Sequence, residues 1–187
     1  EKPIVCGTSF GGFVAQSYAT RHPDHASKLI LISTAAKMDL PKVFAMFGKL
    51  GGAEAERIAE SYWTNPTSES RARYREVCVP HYQQNENDTR DWLSRVLTKD
   101  DTALWFNGPG NEMGRMDFRS DLSKITCPTL VLAGELDPMT PIELNEEIAK
   151  CLPDGVASFH RFPQCGHGVV GDQPEQAFDL IHDFIQR

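Results

Sequence analysis

The stretch VCGTSFGG at residues 5–12 decides the fold. Residues 2–6 read as a short buried strand, and from about residue 11 to residue 22 the apolar positions recur at helical spacing. Between strand and helix stands Gly-x-Ser-x-Gly, the pattern of a nucleophile elbow. Such a tight turn needs glycine neighbours and lifts the Ser9 hydroxyl out of the sheet. Ser9 is therefore a candidate nucleophile, and the Phe10 amide, at the helix N-terminus, is a candidate oxyanion-hole donor.

The elbow pattern alone leaves two other interpretations open. Glycine-rich turns between a strand and a helix also bind phosphate groups, and a pattern of five positions arises by chance in many chains. Whether Ser9 is a catalytic nucleophile therefore depends on the rest of the sequence.

Composition narrows the class of protein. The 187 residues are 40% hydrophobic and 24% charged, which are values of a globular domain, here with room for an insertion. The net charge of −7 and the absence of a basic cluster argue against nucleic acid as a partner. Apolar runs such as residues 29–32 are far shorter than the roughly 18 residues that a membrane span needs.

Cysteine usage points to a reducing compartment. The five cysteines form an odd set without CxxC spacing, so we expect neither a zinc site nor a disulfide framework. They are Cys6, Cys78, Cys127, Cys151 and Cys165. The prediction is a cytoplasmic protein without a bound metal or cofactor.

The order of the predicted elements indicates an α/β fold. Residues 28–33 form a second apolar strand, so the first strand, helix and second strand make a right-handed βαβ unit. Strand patterns return at residues 128–134 and 158–162, and an amphipathic helix runs from about residue 174 to the end. A helix over residues 141–152 is predicted between these two strands, with Thr140 placed to cap its N-terminus. We predict about four parallel strands with flanking helices.

The middle of the chain has a different predicted secondary structure. Helical stretches at residues 41–50, 53–63, 69–79 and 89–106 replace the strand patterns and carry many aromatic residues. We therefore predict that residues 1–35 and 122–187 form the α/β core and that residues 36–121 are a helical insertion.

Two further residues complete a candidate constellation with Ser9. Asp137 follows a predicted strand and His167 follows the next one, so all three side chains should reach the same edge of a parallel sheet. A serine hydroxyl needs a base to take its proton and a carboxylate to orient that base. The chain order Ser, Asp, His is the order found in α/β hydrolases.

Several of these and neighbouring residues allow another interpretation. Asp39 is a reserve candidate for the acid, and Cys165 near His167 suggests a thiol mechanism, although no cysteine occupies an elbow. Asp137 before Pro138 could be a simple turn residue, and His167 a simple loop residue. The remaining histidines are interpreted as structural: His22, His25, His81, His160 and His182.

These residues resemble a known family. GTSFGG at residues 7–12, GELD at 134–137 and CGH at 165–167 are similar to the α/β-hydrolase superfamily, and residues 36–121 resemble its helical cap. The resemblance implies a serine hydrolase with a triad of Ser9, His167 and Asp137. It also implies the C-terminal two-thirds of the usual fold, so the missing N-terminal part should pair at the first strand and supply the second oxyanion donor. We therefore expect this sequence to be a fragment.

A finer resemblance concerns the substrate. FNGPGNE at residues 106–112 is similar to a cap segment of proline iminopeptidases, in which a glutamate binds the free amine of the substrate. The resemblance implies that Glu112 binds substrate. Some of these peptidases carry a second such glutamate directly after the catalytic aspartate, where this chain has Pro138. A neutral ester substrate, or a solvated Glu112, therefore stays open.

Three functions follow as hypotheses. The first is a proline iminopeptidase-like enzyme that releases N-terminal proline or a small apolar residue from a short peptide. The second is a carboxylesterase or another hydrolase of small acyl groups. The third is a ligand-binding protein that has the fold without turnover. In each case the partner is a small molecule or short peptide.

Overall fold

The structure, a computed structural model, describes residues 2–85, 97, 99–108 and 111–187. In these residues, four strands form one parallel sheet in the order β1-β2-β3-β4. The strands are β1 (Ile4–Thr8), β2 (Lys28–Ile32), β3 (Thr129–Gly134) and β4 (Ala157–Phe162). The predicted α/β class and the four parallel strands are confirmed.

Helices connect the strands and form the insertion after β2. They are α1 (Phe10–Arg21), α2 (Leu40–Thr64), α3 (Ser68–Val77), α4 (Asp100–Asn107), α5 (Glu112–Arg115), α6 (Ile142–Cys151), α7 (Val169–Asp172) and α8 (Pro174–Gln186). The described residues also include two 3₁₀ turns, at Val79–Tyr82 and Leu122–Lys124. Most of the helix predicted at residues 89–106 lies outside the described residues. Among the described helices, none has the length and apolar character that a bilayer crossing requires.

Apolar side chains cover both faces of the sheet. Alternate residues of the central strands point to opposite faces, so each face has its own buried cluster. One cluster, beside α1 and α6, includes Ala15, Ala19, Leu29, Leu31, Val131 and Ile148. The other, beside α8, includes Ile30, Ile32, Leu130, Leu132, Ala177 and Phe184. Burial on both faces explains why these strands read as unbroken apolar runs in the sequence.

The insertion has a separate aromatic core. In α2 the predicted break near residues 51–52 appears as a kink at Gly52, whose φ is 75°. The chain leaves the sheet domain near Lys37 and returns to it near Asp117, and these two residues form an antiparallel bridge. The buried residues between these points include Val43, Phe47, Ile58, Tyr62, Tyr74 and Cys78. The helical insertion is confirmed, while the domain boundaries at residues 35 and 121 stay predictions.

Asp39, the reserve acid of the sequence analysis, lies at the N-cap of α2. Its Oδ1 accepts a hydrogen bond from the backbone N–H of Lys42 at 3.3 Å, and its Oδ2 pairs with the Lys42 ammonium at 2.7 Å. The lysine hydrogen bond lowers the pKa of the Asp39 carboxyl. This aspartate therefore stabilises a helix start rather than orienting a histidine.

The turn between β1 and α1 shows which glycines the elbow requires. Ser9 has a φ of 52°, a value that L-residues adopt at a cost in free energy. A Cβ on Gly7 would lie 2.8 Å from the Ala15 Cβ, and one on Gly12 would lie 2.6 Å from the Thr34 Cγ2. A Cβ on Gly11 would meet no atom within 4 Å. Close packing of helix on sheet therefore restricts Gly7 and Gly12, but not the last glycine of the motif.

We predict that Gly12→Ala destabilises the protein by about 1–3 kcal/mol, because the new methyl overlaps the buried Thr34 side chain. Gly11→Ala is the matched control, since it adds the same methyl to the same helix in open space. The free energy of unfolding from urea titration measures both. Equal destabilisation by the two variants would contradict this account of the elbow.

Candidate active site

The carboxyl ends of three strands bring Ser9, Asp137 and His167 to one edge of the sheet. Ser9 directly follows β1, and the other two residues lie in the loops after β3 and β4. All strand pairs are parallel, so these ends necessarily meet at the same edge. The three predicted residues are thus neighbours in space although far apart in the sequence.

Hydrogen bonds join the three side chains into a chain. The His167 Nε2 lies 2.8 Å from the Ser9 Oγ. The His167 Nδ1 lies 2.9 Å from Oδ2 and 3.0 Å from Oδ1 of Asp137. An ionised carboxylate can only accept, so Nδ1 carries the proton and donates to Asp137. The other ring nitrogen is then free to accept the serine proton.

The Asp137 carboxylate is fully buried, with 0% of its side chain exposed. Burial by itself raises the pKa of this carboxyl, but the imidazole of His167 and hydrogen bonds from His167 and Thr140 lower it below its ordinary value. The backbone N–H groups of Met139 and Thr140 donate to Oδ1 at 2.8 and 2.9 Å. The carboxylate is therefore held charged and fixed in orientation.

Thr140 has a role that differs from its predicted one. The sequence places it as the N-cap of a helix over residues 141–152. In the structure Pro141 is the N-cap residue of α6, without a side-chain cap, and the Thr140 hydroxyl donates to Asp137 Oδ2 at 2.7 Å. The capping prediction is wrong because the helix begins one residue later than predicted, so Thr140 precedes the N-cap position and its hydroxyl lies against the buried carboxylate.

The loop that carries His167 rests on the 3₁₀ turn of the insertion. The backbone N–H of His167 donates to the Tyr82 carbonyl at 2.6 Å, and the two rings meet edge to face with centroids 5.3 Å apart. A Cβ on Gly166 would lie 2.9 Å from the Tyr82 carbonyl carbon, so the residue before the histidine has to be small. The insertion therefore fixes the histidine loop through backbone contacts.

Asp172, at the end of α7, adds a second connection between this loop and the insertion. Its Oδ2 accepts from the Gly166 N–H at 2.7 Å. Its Oδ1 accepts from the N–H groups of Gln84 and Asn85 at 3.0 and 3.3 Å. One carboxylate thus links two segments that lie about 80 residues apart in the sequence and sets the position of the loop next to His167.

The elbow itself is fixed from both sides. The Ser9 N–H donates to the Ile32 carbonyl at 2.9 Å, and the Ser9 carbonyl accepts from the Thr34 hydroxyl at 2.9 Å. Phe10 is the first residue of α1, where a backbone N–H has no acceptor within the helix. The Phe10 amide and the N-terminal end of the helix dipole therefore favour negative charge beside Ser9.

A cavity of about 310 Å³ opens over Ser9 and His167. Most of its wall is apolar or aromatic and comes from the insertion and from α1, which is typical of a small-molecule site. This part of the wall includes Phe13, Met38, Tyr62, Trp63, Tyr74 and Tyr82. Among the described residues that line it, the formally charged side chains are those of Arg71 and Arg75.

Glu112 lies near this cavity but does not line it. Its carboxylate pairs with Arg115 within the short helix α5, and 37% of its side chain is exposed. The neighbouring Met113 lines the cavity instead. Pro109 and Gly110 of the segment that resembles proline iminopeptidases lie outside the described residues. Substrate binding by Glu112 thus stays a prediction.

Cys165, two residues before His167 in the same loop, is buried, with 0% of the residue exposed. Burial and the Asp172 carboxylate raise the pKa of its thiol to about 11. The thiolate is the reactive form of cysteine, so this environment disfavours a thiol mechanism at neutral pH. Within the described ranges, no three His, Cys, Asp or Glu side chains cluster so as to hold a metal ion.

Sequence reasoning missed four residues that shape the site: Arg71, Arg75, Thr140 and Asp172. Arg71 and Arg75 are spaced i, i+4 in a highly charged helix, which reads as a solvated face unless the packing of α3 is known. Asp172 ends the four-residue helix α7, which is too short to give a periodic signal. Only the spacing Asp137-x-x-Thr140 could have indicated a hydrogen bond from a side chain to its own turn.

We predict that Asp172→Ala loosens the histidine loop and lowers the free energy of unfolding by about 1–3 kcal/mol, because three N–H groups lose a charged acceptor. Hydrogen exchange of the Gly166 amide should accelerate. Asp179→Ala, at an exposed aspartate of α8, is the control. Unchanged exchange at Gly166 relative to that control would show that Asp172 does not hold the loop.

Comparison with known proteins places the chain in a family. The model of the α/β hydrolase fold family matches residues 1–174. A pimeloyl-[acyl-carrier protein] methyl ester esterase of Vibrio atlanticus is 28% identical over 193 residues, covering 100% of this chain and 72% of its own length. The proline iminopeptidase PfmaB of Pestalotiopsis fici is also 28% identical, with 100% of this chain and 68% of its own length covered.

Solved structures agree on the fold. An α/β hydrolase enzyme from a Medee basin deep-sea metagenome library superposes with a TM-score of 0.70 at 19% identity. The match covers 100% of this chain and 66% of that structure, so the chain spans about two-thirds of its length. Curated relatives with different activities match at equal identity, and the comparisons therefore define the fold and the broad class of hydrolases. The chain belongs to the α/β hydrolase fold family.

Proposed function

We propose that this chain carries the catalytic centre of a serine hydrolase that cleaves carboxylic esters through an acyl-enzyme. The observation that supports this most directly is the continuous hydrogen-bonded chain from Ser9 through His167 to the buried Asp137. In this arrangement the serine hydroxyl keeps its proton, His167 Nε2 can accept it and the Asp137 carboxylate is charged, which is the starting state for acyl transfer.

The first half of the reaction uses all three side chains. His167 Nε2 takes the hydroxyl proton as Ser9 Oγ attacks the ester carbonyl carbon, and the carbonyl oxygen becomes an oxyanion. The Phe10 N–H stabilises this oxyanion at the positive end of α1. Asp137 stabilises the imidazolium through Nδ1. His167 then gives the proton to the departing alcohol oxygen, which leaves an acyl group on Ser9.

Water completes the cycle by the same steps. His167 removes a proton from a water molecule, the resulting hydroxide attacks the acyl carbon, and a second oxyanion forms at the Phe10 amide. When this intermediate collapses, the carboxylic acid leaves and Ser9 recovers its proton from His167. The chemistry uses side-chain and backbone groups of the protein together with water.

Electrostatics of the cavity favours an ester over a free N-terminal amine. The charged side chains in its described lining are Arg71 and Arg75, which repel an ammonium group. The carboxylate predicted to bind such an amine, Glu112, is paired with Arg115 outside that lining. An esterase is also among the relatives at 28% identity.

Aminopeptidase activity is the second candidate, since the proline iminopeptidase PfmaB is equally similar in sequence. In that case Glu112 would have to leave Arg115 and turn toward the cavity, whose wall contains its neighbour Met113. The substrate ammonium would then replace the Arg115 guanidinium as its partner.

Labelling by a fluorophosphonate probe tests the nucleophile. We expect the intact protein to react covalently at Ser9 and the Ser9→Ala variant to stay unlabelled, because only the serine adjacent to His167 is activated. Ester turnover should fall by roughly 10³-fold or more in the same variant. Mass spectrometry of the labelled peptide identifies the site. Equal labelling of both proteins, or a label on another residue, contradicts the proposed mechanism.

Two substrates distinguish ester from amide chemistry. We expect the intact protein to hydrolyse a short-chain 4-nitrophenyl ester much faster than the 4-nitroanilide of proline, and Glu112→Ala to leave ester turnover within about twofold because Glu112 lies outside the lining. Glu175→Ala, at an exposed glutamate at the start of α8, is the control.

The outcomes separate the three functional hypotheses. Fast anilide cleavage that Glu112→Ala abolishes and Glu175→Ala preserves would establish the aminopeptidase instead. Absence of both activities, together with retained binding of small acyl compounds, would indicate a ligand-binding protein with this fold.

A further inference from the structure

Two arginines of the insertion face the cavity above Ser9. Arg71 and Arg75 are one turn apart on α3 and therefore lie on the same side of that helix. Both line the cavity that also contains Ser9 and His167 in its wall. Their presence is unexpected in a wall that is otherwise mostly apolar and aromatic, because desolvating a guanidinium is unfavourable without an anionic partner.

One carboxylate contacts both guanidinium groups. The Asp100 Oδ1 lies 3.0 Å from Arg71 Nη1 and 3.5 Å from Arg75 Nη2. Arg71 also donates to the Asp100 carbonyl at 3.3 Å, and only 14% of its side chain is exposed. Among the described residues, two positive charges thus share one negative charge beside the cavity, which leaves an excess of positive charge there.

A purely structural role accounts for Arg71 better than for Arg75. Arg71 connects α3 to the first residue of α4 through two contacts with Asp100. The contact from Arg75 is at the limit of hydrogen-bond length, and about half of this side chain is exposed. Within the described part of the chain, Arg75 therefore lines the cavity with guanidinium donors that the contact between the helices does not use.

Arg73, on the same helix, has the ion pairs of an arginine with a structural role and serves as a comparison. It pairs with Glu54 at 2.9 Å and with Glu76 at 2.6 Å, and it does not line the cavity. Two carboxylates balance one guanidinium here, the reverse of the arrangement around Asp100. Among the residues that the structure describes, the cavity arginines thus differ from Arg73 both in position and in having fewer anionic partners.

The charge of the whole chain strengthens this contrast. At a net charge of −7, the surface as a whole repels anions. Two guanidinium groups that line a mostly apolar cavity, with one carboxylate between them among the described residues, give a local positive potential that acts at short range. Guanidinium also matches a carboxylate geometrically, since it can donate two parallel N–H bonds.

We propose that Arg71 and Arg75 form an anion-binding subsite, so that the preferred ester carries a carboxylate group at some distance from its scissile bond. This inference rests on the function proposed above for Ser9. An ester of a dicarboxylic acid with one free carboxylate is the simplest compound of this class. The carboxylate pairs with Arg75 and Arg71 while the ester carbonyl lies at Ser9.

A binding experiment tests the subsite independently of turnover. The Ser9→Ala variant of the intact protein is titrated calorimetrically, at fixed low ionic strength, with the mono-4-nitrophenyl ester of adipic acid. The comparison ligand is the same ester with a terminal carboxamide, which has nearly the same shape without the charge. We expect the carboxylate ligand to bind about tenfold more tightly, as for a charge-assisted hydrogen bond.

Three additional variants in the Ser9→Ala background give the residue assignment. Arg75→Gln should reduce the preference for the carboxylate ligand to about twofold or less, whereas Arg73→Gln, which removes the same charge from the same helix, should leave it unchanged. Asp100→Asn should increase the preference, because it removes the competing carboxylate. A circular-dichroism spectrum verifies that each variant is folded.

The results bear separately on the two proposals. Equal affinity for the two ligands overturns the subsite, as does a preference that Arg75→Gln leaves intact or that Arg73→Gln removes equally. A preference that depends on Arg75, combined with no Ser9-dependent turnover of either ester by the wild-type protein, supports the subsite and overturns the hydrolase function. Turnover of the neutral ester without any preference supports only the hydrolase.

Discussion

The site depends on one buried negative charge. The Asp137 carboxylate has 0% exposure and is stabilised by donors from its own turn, at Met139 and Thr140, and by the imidazole of His167. A charge without water needs all such partners, since losing one leaves it uncompensated in a low dielectric. These donors come from the loops after β3 and β4. The parallel pairing of these two strands therefore also holds Asp137 and His167 in position beside Ser9.

The insertion and the sheet domain contribute different parts of the site. The sheet domain supplies the elbow, the acid and the histidine, while the insertion supplies most of the cavity wall and its charge. The two parts are connected at the histidine loop, where Tyr82 accepts from the His167 N–H and Asp172 accepts from Gln84 and Asn85. A change in the insertion that shifts Tyr82 would therefore also move the proposed general base.

Local sequence patterns predicted the features that depend on interactions between neighbouring residues. They failed where the tertiary structure provides the deciding contact. Strands buried on both faces were predictable from their apolar runs, and the kink in α2 from its paired glycines. Thr140 looked like a helix cap, yet its hydroxyl bonds the buried Asp137. Gly11 belongs to the elbow motif, yet Gly12 makes the close approach to Thr34, because the packing distance between helix and sheet sets that requirement.

By itself the sequence determined the α/β class, the order of the strands along the chain, the elbow, and which serine, aspartate and histidine stand at strand ends. Parallel strands bring those ends together whatever the details of packing. Only the tertiary structure decided what the cavity presents to a ligand: Arg71 and Arg75 line it, and Glu112 pairs with Arg115 outside it. The face that a cap helix turns toward the cavity depends on contacts between helices far apart in the chain, which no local pattern encodes.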